Sequence, residues 1–108
     1  MTNLINKKCV PCEGGVPTLT PDEIQKFMKE LKEGWKVLDN LKIEKLFKFK
    51  DFVEAIKFVN KVAELAEQEG HHPDIAINYN KVKMTIWTHA IGGLSENDFI
   101  LGAKIDIL

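Results

Sequence analysis

Nowhere in its 108 residues does the chain carry an apolar run near the roughly 20 residues that a membrane-spanning helix requires, so a membrane protein is not expected. The opening stretch MTNLINKKCVPC also lacks the continuous apolar segment of a secretory signal. The expected location is therefore the cytoplasm, where thiols stay reduced. Net charge is nearly absent too: 15 basic against 16 acidic side chains leave −1, with no overall positive field to draw the protein to nucleic acid or anionic lipid. Local lysine clusters such as LKIEKLFKFK alternate with apolar residues and read as the wet face of a strand.

Cysteine is scarce, with Cys9 and Cys12 forming a lone C-x-x-C. A structural zinc site needs four ligands, and only the distant histidines are left to complete one. A redox pair belongs at a strand-to-helix junction, whereas CVPCEGGVPTLTP is rich in Gly and Pro and reads as a loop. A structural or incidental role is expected for both thiols.

What is present suits one soluble globular domain. A hydrophobic fraction of 44% beside a charged fraction of 29% is ordinary for that class. A chain of this length buries roughly two-thirds of its unfolded surface around a single core. Residues 1–19 lack periodicity and are expected to form an irregular leader, with the domain proper over 20–108. Thr20, Pro21 and Glu23 spell a capping box and first turn for a helix whose Ile24, Phe27, Met28 and Leu31 share a stripe and which should stop at Gly34. From Trp35 the period changes to two, broken at Asp39-Asn40, which predicts a hairpin. Asp51 opens a second helix with Phe52, Ile56, Val59, Ala63 and Ala66 recurring at helical spacing, closed by Gly70 and kept closed by Pro73. A second hairpin follows with its turn near Asn80-Lys81, placing Val82, Met84 and Ile86 on one face and Lys83, Thr85 and Trp87 on the other. Ser95, with Asp98 at the third helical position, opens a last helix. The order α-β-β-α-β-β-α predicts an α+β fold: a four-stranded antiparallel sheet with three helices on one face.

All three histidines fall between Glu69 and Ala90. His71 and His72 lie in the link between the second helix and the sheet, and His89 lies at the far end of the returning hairpin strand. A tight hairpin brings the third imidazole back beside the first two. Histidine titrates near neutrality, so such a cluster offers proton donor and acceptor together. Glu67, one helical turn before His71, could orient an imidazole or bind a ligand N–H, or it could be a solvated residue of the helix's last turns. Three His and a carboxylate could also hold zinc, although the spacing matches no compact helical signature such as H-E-x-x-H. A purely structural role for the histidines stays open on local pattern.

The ordered set Glu67, His71-His72-Pro73, Tyr79, His89 and Asp98, within the segments EGW, FKFKDF, HHP, YNKV and THAIGGLSENDF, resembles the signature of the pterin-4a-carbinolamine dehydratases, also known as dimerisation cofactors of a homeodomain transcription factor. The resemblance covers most of the chain from about Trp35. It implies a cofactor-free hydro-lyase that removes water from a 4a-hydroxytetrahydropterin, giving the quinonoid dihydropterin, in tetrahydrobiopterin-type recycling after aromatic amino-acid hydroxylation. It carries His71 and His89 over as the acid–base pair, their order open, and His72 as a binding and orienting residue. Substrate contacts carry over to Glu67, Pro73, Asp98 and the backbone of Thr88, Ala90 and Ile91; Asp98 is equally explained as the acid of a capping box. Trp35 and Tyr79 belong to the pattern as well; buried packing is the commoner explanation of a sheet aromatic and ligand stacking the other. No metal is implied. The implied partners are a small pterin substrate and further copies of the chain, as dimer or tetramer, without nucleic acid or membrane. Gly70 and Ile75 depart from the family pattern, which commonly has an acidic and an aromatic residue there. A non-catalytic dimerisation or regulatory module on the same fold is the alternative; retention of all three histidines argues against it.

Overall fold

Thr20 begins the regular structure as a helix N-cap, its hydroxyl accepting the Glu23 N–H while the Glu23 carboxylate accepts the Thr20 N–H. In the computed structural model, which describes residues 4–10 and 17–108, the elements that follow are α1 (Pro21–Met28), β1 (Lys36–Leu38), β2 (Lys42–Lys48), α2 (Phe52–Glu69), β3 (Asp74–Asn78), β4 (Lys81–Ile86) and α3 (Glu96–Ile105). Two 3₁₀ turns stand among the described residues, Leu4–Asn6 before α1 and His89–Ile91 between β4 and α3. Cys12 lies outside the described residues.

All strand pairs are antiparallel, in the order β1-β2-β4-β3. Register fixes the faces, because directly paired residues share one. Ile43 opposes Ile86, Phe47 opposes Val82 and Ile75 opposes Met84, so this set looks toward the helices. The other face carries Lys36, Glu44, Lys81, Lys83 and Thr85 and is open, the one-sided wetting that the alternating lysines predict. The α+β architecture is the expected one. No helix among the described residues is long and apolar enough to cross a membrane.

The middle layer of the core is α3, on which nearly every side chain from Asn97 to Ile105 is buried. Phe99 stacks on Phe27 of α1 with centroids 5.3 Å apart. At the far end of α3, Asp106 accepts the Trp35 indole N–H at 3.0 Å, the Lys45 ammonium at 2.8 Å and the Lys32 amide at 2.9 Å. That triple anchor explains why α1 stops at Met28 rather than near Gly34. Residues 30 and 31 make tight i to i−3 bonds and Lys32 turns to Asp106, so Leu31 still reaches the core without helical backbone.

Two other expectations shift. The inward stripe of α2 runs through Ala55, Val62 and Ala66, flanked by Phe58, Val59 and Leu65, leaving Phe52 and Ala63 exposed. Phe58 sets this rotation, because its ring sits between Phe47 and Phe49 of the sheet at 4.8 and 4.9 Å. The second hairpin turns at Tyr79-Asn80, one residue early, since Asn78 pairs with Lys81. Tyr79 takes a positive φ of 55° at the tip and is exposed, whereas Trp35, just before β1, is buried.

Candidate active site

Helix α2 must end abruptly for the histidines to reach the sheet edge. Gly70 ends it at φ 66°, a left-handed cap that returns its N–H and that of His71 to the Ala66 carbonyl. The chain then turns through His71, His72 and Pro73 into β3. Just past the returning strand β4, Thr88 bridges to Gly93 in both directions, with N to O distances of 2.9 and 3.3 Å, closing a short loop that carries His89. Gly92, at φ 66°, lets that loop fold back. Both ends of the hairpin therefore deliver imidazoles to one place.

That place is an open cavity of about 400 Å³, within the size range of small-molecule sites. Its walls are His71, His72 and Pro73 from the first segment and Thr88, His89 and Ala90 from the second. Six of the sequence-predicted residues thus share one hollow. Asp74, Trp87 and Gly70 complete it.

Three predicted residues stand elsewhere. Asp98 is wholly buried behind His71, whose Nε2 lies 2.5 Å from Asp98 Oδ1. The other carboxylate oxygen, Oδ2, accepts the Ser95 N–H and the Thr88 hydroxyl, both at 2.9 Å. With its proton given to Asp98, Thr88 Oγ1 accepts in turn from the Ser95 hydroxyl at 2.7 Å. Cap and site are therefore one group with one oxygen for each. Glu67 does not line the cavity but meets His72 Nε2 at 2.5 Å, an exposed pair whose side chains are 77% and 60% accessible. Ile91, half-buried in the 3₁₀ turn, is not part of the wall.

A carboxylate only accepts hydrogen bonds, so His71 Nε2 carries the proton and donates it to Asp98. Nδ1 is then the nitrogen with a free lone pair in the neutral ring. The His71 side chain is 12% accessible, enough to meet a ligand from the cavity and little enough to hold one rotamer.

Trp87 and Asp74 were not singled out from sequence, and they hold the third imidazole. The Trp87 indole stacks on the His89 ring at 3.9 Å between centroids and 26° between planes, while its N–H donates to Asp74 Oδ2 at 3.3 Å. Lys42 Nζ lies over the same indole, 4.7 Å from the centroid. The available signal was a tryptophan that continues the wet-face alternation of Lys83 and Thr85 one position before the site, where a large apolar ring needs a reason to be. Among the described residues no three His, Cys, Asp or Glu side chains gather closely enough to hold a metal ion. Each of the adjacent imidazoles is instead turned to its own carboxylate.

The sequence matches the family profile described as pterin 4 alpha carbinolamine dehydratase over residues 17–108. A relative from Alkaliphilus metalliredigens that bears the pterin-4-alpha-carbinolamine dehydratase name is 50% identical over 106 residues, covering 98% of this chain and 96% of its own. One of the same name from Nitrosomonas eutropha is 50% identical over 111 residues, covering 100% of this chain and 97% of its own. Among solved structures, the transcriptional coactivator/pterin dehydratase from Brucella melitensis superposes with a TM-score of 0.78 at 35% identity, over 84% of this chain and 97% of that one.

Proposed function

Because the chain belongs to the pterin 4 alpha carbinolamine dehydratase family, we propose that it dehydrates a 4a-hydroxytetrahydropterin to the quinonoid dihydropterin by histidine acid–base catalysis. The observation that carries the mechanism is the placement of His71, backed by buried Asp98, in one cavity with His72 and His89. In the reaction the C4a–O bond breaks and the hydroxyl leaves as water after gaining a proton. The N5–H bond breaks as its electron pair forms the C4a=N5 double bond. One proton is taken and one is given, so neither a redox partner nor a net change of charge is needed.

His71 suits the base. With Nε2 bound to Asp98, Nδ1 keeps the lone pair that takes the N5 proton, while Asp98 fixes the ring and offsets the positive charge that then arises. His89, held by the Trp87 ring, suits the acid that protonates the leaving hydroxyl. His72, braced by Glu67, binds and orients the pterin's polar edge, and Pro73 with the backbone of Thr88 and Ala90 shapes a wall for a flat ring. The product is the oxidised-level pterin that a reductase must return to the tetrahydro form, the place such a dehydratase holds in tetrahydrobiopterin-type recycling.

Self-association belongs with this function. Strand β3 is a sheet edge whose Ile75 and Ile77 stay exposed, and pairing with a two-fold mate would satisfy its outer backbone groups. Light scattering that returned a monomer at assay concentration would contradict it.

The decisive assay for the activity is stopped-flow dehydration of 4a-hydroxytetrahydropterin with chelator present. Acceleration well above the uncatalysed rate is expected; no acceleration across pterins of different side chain would favour the non-catalytic dimerisation module.

A further inference from the structure

Residues 7–10 precede the stretch that the family profile matches, yet they are wired to the two helix ends that supply the buried dyad. Glu69, the last residue of α2, stands two positions before His71. Its Oε1 accepts the Cys9 N–H at 2.9 Å and its Oε2 accepts the Lys104 ammonium of α3 at 2.7 Å. Asn97 stands immediately before Asp98. Its Oδ1 accepts the Val10 N–H at 3.0 Å and its Nδ2 donates to the Val10 carbonyl at 2.6 Å, a two-point clasp on one residue's backbone. Lys7 adds an ion pair to Glu96 at 2.6 Å in the same first turn of α3.

His71 and Asp98 lie on separate elements, and only the one-residue Gly70 link separates α2 from the imidazole. A hydrogen bond between groups on two helix ends holds its geometry only if those ends hold theirs. Residues 9 and 10 tie one end to the other: the amide of Cys9 to the end of α2, the amide and carbonyl of Val10 to the start of α3. Asn97 is buried and the Glu69 side chain is 8% accessible, so these bonds are shielded from competing water. Buried Leu4 and the buried Cys9 side chain already anchor the leader to the core by packing, so the backbone bonds of residues 9 and 10 add ties to the two helix ends that adjoin the dyad.

The geometry points to residues 7–10 as a positioning strap for the His71–Asp98 dyad, with Glu69 and Asn97 as its positioning residues; this rests on the histidine acid–base function proposed above. Val10 is the cleanest probe, because its side chain is 65% accessible and only its backbone is used. In the full chain, Val10→Pro removes the N–H that Asn97 accepts, and Val10→Ala keeps both bonds.

The expected result for Val10→Pro is a kcat lower by about tenfold with KM changed by less than about twofold, as befits a misplaced reacting group. Its His71 Nε2–H resonance in ¹⁵N-histidine NMR should broaden or disappear, whereas Val10→Ala matches the parent in both readouts. A strap that merely stabilised the fold would lower the melting temperature and leave kcat and that resonance alone; this result overturns the proposal. Should Val10→Pro fail to fold, Lys104→Gln, which weakens the hold on Glu69, carries the same expectations and the same refutation. His71→Ala is assayed alongside. Loss of activity in His71→Ala with normal turnover in Val10→Pro overturns the strap alone, while full activity in His71→Ala overturns both the strap and the function beneath it.

Discussion

His71 Nε2 and Asp98 Oδ1 lie 2.5 Å apart, although 27 positions separate them in the chain and they belong to different elements. The second oxygen of the same carboxylate holds the Ser95 amide and the Thr88 hydroxyl, so one buried group joins the segment just after α2, the segment just after β4 and the start of α3. Helix capping and imidazole orientation are thus inseparable here.

Asp98→Asn should therefore damage both stability and turnover. An amide puts an NH₂ group with two donors in place of one carboxylate oxygen, and every neighbour of Asp98 is itself a donor. If the amide N–H faces His71, the ring must accept at Nε2 and move its proton to Nδ1, which abolishes the base. Turnover should fall by about 100-fold or more, and unfolding should show a loss of about 1–3 kcal/mol from the buried mismatch. Steady-state kinetics and thermal melts check the two effects; an Asp98→Asn protein with parental kcat would refute the orienting role.

Trp87→Leu removes the ring stacked on His89 and the indole N–H bound by Asp74, while the half-buried position keeps an apolar side chain. A kcat lower by about tenfold is expected from a loosened acid, with a melting temperature close to the parent's. Unchanged kinetics would mean that His89 finds its position without the indole.

The exposed pair of Glu67 and His72 should behave differently. Solvated ion pairs contribute about 0–1 kcal/mol, so Glu67→Ala should leave the melting temperature nearly unchanged. Its effect should appear as a several-fold rise in KM with little change in kcat, the mark of lost binding shared by ground and transition states. A large fall in kcat at constant KM would move Glu67 into the chemical step.

Glu69 has a pH signature of its own. Burial pushes its carboxyl up, and the Lys104 ammonium with the Cys9 amide more than offsets this, holding it below its ordinary 4.5. A carboxyl lowered in the folded state contributes stability in full above its ordinary value, and that contribution drains as pH falls through the folded value. Lys104→Met removes the main offset, so its melting temperature should lie a few degrees below the parent's near neutrality, with the gap closing as the pH falls below the ordinary carboxyl value of 4.5. A gap independent of pH would assign the loss to packing alone. Cys9, beside Glu69, is pushed up to about 12 by burial first and by the Glu69 charge second, so it stays a thiol at neutral pH and is poorly suited to thiolate chemistry.

How much of this was legible depended on the range of the interactions. Convergence of His89 on His71 and His72 follows from a hairpin, because strand pairing is a short-range rule that period-two patterning reveals. Ser95 and Asp98 likewise announce their helix through a local capping box. The facing of α2 was not legible: Phe52 and Ala63 fit helical spacing as well as Ala55 and Val62 do, and the choice is made by Phe58 lodging against Phe47 and Phe49. Tyr79 could pack or protrude until the register of Asn78 with Lys81 placed it at the turn. Least legible was the contact of Val10 with Asn97, since a side-chain amide reading a backbone 87 positions away leaves no periodic trace.

Imidazoles from both ends of the second hairpin are proposed to act on one substrate. Single-turnover dehydration by His89→Ala tests this most directly, because that exposed ring contributes little packing and its loss should leave the fold intact. We expect a rate lower by about 100-fold or more, with near-UV circular dichroism and melting temperature unchanged. Near-parental turnover by the folded His89→Ala protein would contradict the claim.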